Sequence, residues 1–232
     1  MDWKDFWNDY PNRFAKEEFL KQVGKTFQGQ PISDEQLNRL ISDIIQKLNL
    51  RDDDFVLDLC CGNGLITSSI ARKCQYMVGV DFSKPMIEIA REFHGSPNVS
   101  YSCMSVLDIT RQNIQVLAPF TKIYMYEGLQ HFKEEQLTPL IETLLKLSDK
   151  ETVILLASIP DRNKLWKYYN TPERQREYRE RKRKGTEALG TWWKQSAIRK
   201  TCAAYNLICE FLPQPENLHT AHYRFDIRIT RQ

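Results

Sequence analysis

Val56-Leu57-Asp58-Leu59-Cys60-Cys61-Gly62-Asn63-Gly64 is the stretch that decides the fold. An apolar run from Phe55 to Leu59 enters a glycine turn, and a helix is expected from about Leu65. Glycine lets the backbone reverse sharply and approach a ligand with no Cβ in the way. The first amides of the following helix are unpaired donors at its positive end. Such a turn receives a pyrophosphate or a carboxylate, and alone it does not choose between them.

Outward from this turn, short apolar runs at 54–59, 76–80, 99–102, 120–126 and 151–158 alternate with helical stretches near 64–73, 84–94 and 134–147. That alternation predicts an α/β fold: a doubly wound, mainly parallel, seven-stranded sheet with helices on both faces. Upstream, Ser33 and Gln36 form a capping box, and Leu37, Leu40, Ile41, Ile44, Ile45 and Leu48 predict an amphipathic helix over 34–49. Residues 1–32 predict one or two short helices. Downstream, 161–190 is polar and helix-prone and 193–203 reads as a further helix. The runs 205–212 and 220–230 read as strands of a C-terminal antiparallel hairpin, the last alternating at period two. The expected organisation is one domain over 1–232, with an N-terminal helical lid (1–50), a ligand-binding core (51–160), a helical lid insert (161–193) and a C-terminal helix and strands (194–232).

Three details bear on the ligand. A dinucleotide fingerprint places glycine three residues after Gly64, where this chain has Thr67. Asp58, at the strand end, suits a ligand carrying an ammonium. A preface of about fifty residues precedes the first strand of the core, where a simple dinucleotide domain often begins with that strand.

The string VLDLCCGNG resembles the first motif of class I S-adenosylmethionine-dependent methyltransferases, departing from it at Cys60, where the family has glycine. Val78-Gly79-Val80-Asp81, Ser105-Val106-Leu107-Asp108 and the segment Ile123 to Phe132 (IYMYEGLQHF) resemble the next motifs, in order and at suitable spacing. The last departs at Thr121, where an acidic residue is usual. The resemblance implies S-adenosylmethionine as cofactor, with S-adenosylhomocysteine as product. It implies cofactor contacts from Asp58, Cys60, Gly62, Gly64, Ser105, Leu107 and Tyr126. Asp81 would take the ribose hydroxyls, Phe82 would pack on the adenine, and Asp108 would accept from the adenine amino group. The ending, GTWW then HYRFD, is loosely similar to small bacterial natural-product and polysaccharide-pathway O-methyltransferases, some of which methylate a phosphonate oxygen.

Methyl transfer is an in-line displacement, so positioning dominates and a base matters only when the acceptor must lose a proton. His131, in the loop after the fourth core strand, is the candidate base. The insert carries ten Lys/Arg against four Asp/Glu over 161–184, although the whole chain is only +3. Its Glu177/Arg181 and Glu180/Lys184 pairs fit a solvated helix. Arg162, Lys164, Trp166, Trp193 and Lys194, with Tyr10 and His222, are the candidate substrate contacts, and Phe14 and Phe27 add two from the N-terminal half.

The reading is thus a small-molecule methyltransferase acting on oxygen of a metabolite that is anionic (phosphate, phosphonate or carboxylate) or a sugar. An N-methyltransferase and a non-catalytic cofactor-binding protein are the alternatives. A nucleic-acid partner would call for a broader basic surface. No His/Asp/Glu cluster has metal-ligand spacing, and six cysteines without a CxxC pair suggest a reducing, cytoplasmic setting. No apolar run approaches a membrane span. Val23-Gly24-Lys25-Thr26 looks like the end of a phosphate loop, but the glycine needed at 19 is Phe19.

Overall fold

The computed structural model describes residues 1–114 and 118–232. The chain opens with α1 (Trp3–Asp9), a 3-10 turn at Tyr10–Arg13, α2 (Phe19–Gln22) and a small hairpin of β1 (Thr26–Phe27) and β2 (Gln30–Pro31). The hairpin is absent from the sequence reading because its strands are two residues each. α3 (Asp34–Leu48) begins on the Ser33 cap, whose side chain accepts from the Gln36 N–H. It buries Leu40, Ile41, Ile44 and Leu48, while Asn49 ends it in the left-handed conformation.

The core then alternates β3 (Phe55–Leu59), α4 (Leu65–Ala71), β4 (Tyr76–Asp81), α5 (Lys84–Phe93), β5 (Val99–Cys103), β6 (Phe120–Tyr126), α6 (Leu137–Leu147) and β7 (Ser148–Pro160). α7 (Leu165–Tyr168), α8 (Pro172–Lys184) and α9 (Gln195–Ala203) follow, and β8 (Leu207–Leu212) and β9 (Arg224–Arg231) close the chain. Strand order is β5-β4-β3-β6-β7-β9-β8. The first five strands in that order run parallel, and β9 lies antiparallel between β7 and β8. The sheet is therefore the seven-stranded, mainly parallel one expected. β9 starts at Arg224 rather than 220, because residues 220–223 close a turn in which Thr220 O accepts from Tyr223 N.

Each face of the sheet has its own apolar cluster. Leu57, Leu59, Ile123, Met125, Leu140, Leu144 and Ile198 pack on one side; Leu40, Ile44, Leu48, Val56, Met77 and Tyr124 pack on the other. Alternate residues of β3 and β6 thus supply opposite faces, as strand geometry requires. Strand order reverses between β3 and β6, so the crevice outside their carboxyl ends is where a ligand of this architecture sits. No helix among the described residues is long and apolar enough to cross a membrane.

Candidate active site

A cavity of about 600 Å³ opens at that switch point. One half is built by the glycine turn. Cys60, at the family's first glycine position, has φ +60°, and Gly62 and Gly64 have φ +55° and +78°. Cys60 thus takes the left-handed conformation that glycine would supply, at a cost of roughly 1–2 kcal/mol for an L-residue. Its sulfur reaches the loop after β6: a Cβ on Gly128 would stand 2.9 Å from it and 2.5 Å from Met125 Cγ.

Asp81 ends β4 at the cavity wall and accepts from the Gly62 N–H (3.0 Å) and the Ser83 N–H (2.8 Å). Burial pushes its carboxyl pKa up, and those backbone donors oppose the shift. A carboxylate offers about four acceptor positions, so lone pairs remain for a diol. Cys60, Cys61, Gly62, Phe82, Ser105, Leu107 and Tyr126 line the same cavity.

Two of the acidic residues lie elsewhere. Asp58 is buried beneath the turn, where its Oδ2 accepts from Thr67 Oγ1 and Tyr124 Oη, both at 2.6 Å. Burial lifts its pKa to about 7, so it is part proton-bearing near neutrality and serves the turn from below. Asp108 is exposed and off the cavity wall. Gly64 also stays outside the wall, tucked against Tyr101.

The other half of the cavity carries the unusual electrostatics. Lys25 donates to Glu127 and stands 4.3 Å from the centre of the Tyr126 ring. Glu127 also accepts from Ser158 Oγ (3.2 Å). Arg224, only 3% exposed, donates from Nη1 to Gln130 Oε1 (2.8 Å) and to the Ser158 carbonyl. Burial pushes Glu127 upward, yet the Lys25 and Arg224 charges outweigh it and hold the carboxyl at about 2. Gln130 Nε2 lies 3.4 Å from His131 Nε2. Because Gln130 presents its oxygen to Arg224, its amide nitrogen donates to His131, which places the imidazole proton on Nδ1. His131 Nδ1 and Arg224 Nε have no partner among the described residues, although both residues line the cavity.

α1 roofs this half. Ser83 Oγ donates to the Trp7 carbonyl (2.7 Å), and the Trp3 ring lies 4.3 Å from the His131 ring. Tyr10 also lines the cavity, and Phe14 packs 5.1 Å behind it. Beneath Trp3 and Trp7, burial pushes the His131 pKa down to about 3.

The remaining sequence candidates are not brought to the cavity. Trp193 is 1% exposed and donates to the Leu129 carbonyl, a core role. Arg162 bonds Tyr178 Oη, Lys164 the Arg224 carbonyl, and Lys194 caps α9. Trp166, Phe27 and His222 are exposed at the surface. Arg181 and Lys184 pair with Glu177 and Glu180, so this face of α8 is the solvated helix that the spacing allowed. From the insert, Tyr168, Ala188 and Leu189 reach the cavity instead.

Lys25, Glu127, Gln130 and Arg224 are wall residues to which the sequence reading assigned no role, whereas Tyr223 and His219, at the entry to the final strand, line the cavity as that placement allowed. The three charged ones each stand beside apolar or aromatic neighbours, in VGKT, YMYEG and HYRFD.

Residues 56–150 match the family described as a methyltransferase domain. Among curated relatives, a probable cobalt-precorrin-6B C(15)-methyltransferase (decarboxylating) of Methanocaldococcus jannaschii is 37% identical over 76 residues, 33% of this chain and 37% of that protein. The matches span between about a fifth and just over a third of the length of the first curated relatives. Among solved structures, magnesium protoporphyrin IX methyltransferase from Synechocystis PCC 6803 with bound SAM aligns over 99% of this chain and 95% of that one, with a TM-score of 0.61 and 16% identity. The DhpI–SAM–HEP complex aligns over 98% and 95%, with a TM-score of 0.66 and 11% identity. Residues 56–150 thus match a methyltransferase domain, and the chain carries the fold of solved methyltransferase structures that hold SAM or SAH.

Proposed function

We propose that the protein transfers the methyl group of S-adenosylmethionine to an oxygen of a small anionic metabolite. The observation that carries this reading is Arg224, a buried guanidinium on the cavity wall with one nitrogen unpartnered. A buried charge is costly unless paired, and Glu127 already pairs with Lys25. An anionic acceptor supplies the missing counter-charge and sits at the end of the cavity away from Asp81.

Asp81, Gly62 and Phe82 hold the cofactor in this reading, through the ribose diol, the turn backbone and the adenine. S-Adenosylmethionine supplies an electrophilic methyl group on its sulfonium. The residues of the opposite wall orient the acceptor, and α1 with Tyr168 and Leu189 excludes water. His131, kept neutral by burial, is a poor base and serves as a hydrogen-bond donor through Nδ1. Glu127, held at about 2, is equally unsuited to taking a proton near neutrality. An oxyanion needs no base, which favours oxygen in a carboxylate, phosphate or phosphonate over a neutral hydroxyl or an ammonium. The DhpI–SAM–HEP complex shares the fold over nearly the whole chain, and so fits a small-molecule acceptor.

The test is incubation with methyl-labelled S-adenosylmethionine and a panel of small carboxylates, phosphates, phosphonates, amines and sugars. Label in the methyl ester of a carboxylate, phosphate or phosphonate is the expected result. Label confined to amines, or cofactor binding with no transfer to any class, would reject the proposal.

A further inference from the structure

Glu127 is in an unusual position for a wall residue of an anion-binding cavity, since a carboxylate there repels the ligand. Its backbone has φ +57°, and Ser158, which donates to it, has φ +60°. Left-handed conformations at two non-glycine residues in contact cost free energy, and such strain persists where the surroundings fix it and a site uses it. The surroundings here are well defined. Ser158 is fully buried, its N–H donates to Asp226 Oδ1 (2.6 Å), and Asp226 is itself paired with Lys47. Lys25, on the loop after α2, is 7% exposed and meets Glu127 from the opposite side.

The charge count follows from these contacts. Lys25 and Glu127 form an ion pair, and Arg224, though it feels the Glu127 charge, has no salt-bridge partner among the described residues. We infer that Glu127 is a specificity-determining residue: by holding Lys25 in an ion pair it restricts the acceptor's head group to a single negative charge. A monoanion, such as a carboxylate or a phosphodiester-like group, neutralises Arg224. A dianion, such as a phosphate monoester, brings a second charge that only Lys25 matches, and Lys25 is already taken.

This rests on the anionic-acceptor reading, and the experiment separates the two. Benzoate and phenyl phosphate carry the same ring on head groups of different charge. Phenyl phosphate is mainly dianionic at about pH 8, above its second pKa. Each is titrated calorimetrically into the protein loaded with S-adenosylhomocysteine, for the native chain and for Glu127→Gln. The native protein is expected to prefer benzoate by about tenfold, since an unmatched like charge is strongly disfavoured. Glu127→Gln keeps the side chain's size, frees Lys25, and is expected to abolish or reverse that preference. Lys25→Met, a second variant, leaves Glu127 unmatched and should weaken both ligands while keeping their order. Anion binding whose benzoate-to-phosphate ratio is the same in native protein and Glu127→Gln overturns this inference alone. Failure of the native protein to bind either ligand overturns the anionic-acceptor reading, and this inference with it.

Discussion

Arg224 donates to the side-chain oxygen of Gln130 at 2.8 Å, joining the first residue of the C-terminal strand to the loop after β6. This bond fixes the Gln130 amide, and through it the tautomer of His131. It also pins a guanidinium whose Nε is left without a partner. The Arg224 end of the cavity is thus assembled by residues distant in the chain, whereas the Asp81 end is assembled from the ends of neighbouring strands around the glycine turn.

Asp81→Ala should weaken S-adenosylmethionine binding by about 1.5–3 kcal/mol, the range for hydrogen bonds to a charged acceptor. The Gly62 and Ser83 amides also lose their partner, which adds to the effect. Calorimetry measures it directly, and an unchanged affinity would remove Asp81 from the cofactor site.

The His131 imidazole is pushed from its ordinary 6.5 to about 3 by burial. Unfolded, it binds a proton below about pH 6.5; folded, it does so only near 3. The unfolded state therefore gains protons in that window, and stability falls as pH drops from about 6.5 toward 3. His131→Gln should lose less stability than the native protein between about pH 7 and 5, by up to about 2 kcal/mol. Urea unfolding at both pH values reads the difference. An identical loss in the two proteins would mean that His131 titrates normally.

Gly190 approaches the loop that carries His131 so closely that a Cβ would stand 2.2 Å from the Gln130 carbonyl and 3.0 Å from Trp3, at φ +72°. Gly190→Ala should destabilise by about 3 kcal/mol, through combined overpacking and backbone strain. Its urea midpoint should fall clearly below that of the native chain, and an unchanged midpoint would refute the packing described.

Arg181→Ala and Lys184→Ala remove exposed i,i+4 pairs from α8, which contribute little. Both variants should retain the native melting temperature and the native affinity for the anion. A marked loss of anion affinity in either would return this helix to the substrate site.

The fold was legible because each core element states its own period. Alternating Leu57 and Leu59, the Ser33 cap and the glycine turn each specify local structure that survives in the whole. Thr67, which argued against a dinucleotide turn, is the donor to Asp58, so the two residues that marked the motif act on each other. Asp81 was legible for the same reason, lying at a strand end beside the turn it bonds. The acceptor end was not. Lys25 and Glu127 are 102 residues apart in sequence, and nothing local signals their pairing. The dense charge of α8 lies on a solvated face, while the single charges of Lys25, Glu127 and Arg224 meet only in the folded chain. Trp193 was conspicuous for its size, and large aromatic residues are most often core, as it is.

If Arg224 holds an anionic acceptor beside bound cofactor, titration of benzoate into the protein loaded with S-adenosylhomocysteine detects it. Arg224→Gln should weaken benzoate by about thirtyfold, or about 2 kcal/mol, the worth of a charged hydrogen bond. Its affinity for S-adenosylhomocysteine should stay native, which controls for folding. Benzoate affinity that is equal in the two proteins, with cofactor affinity intact, would contradict the account.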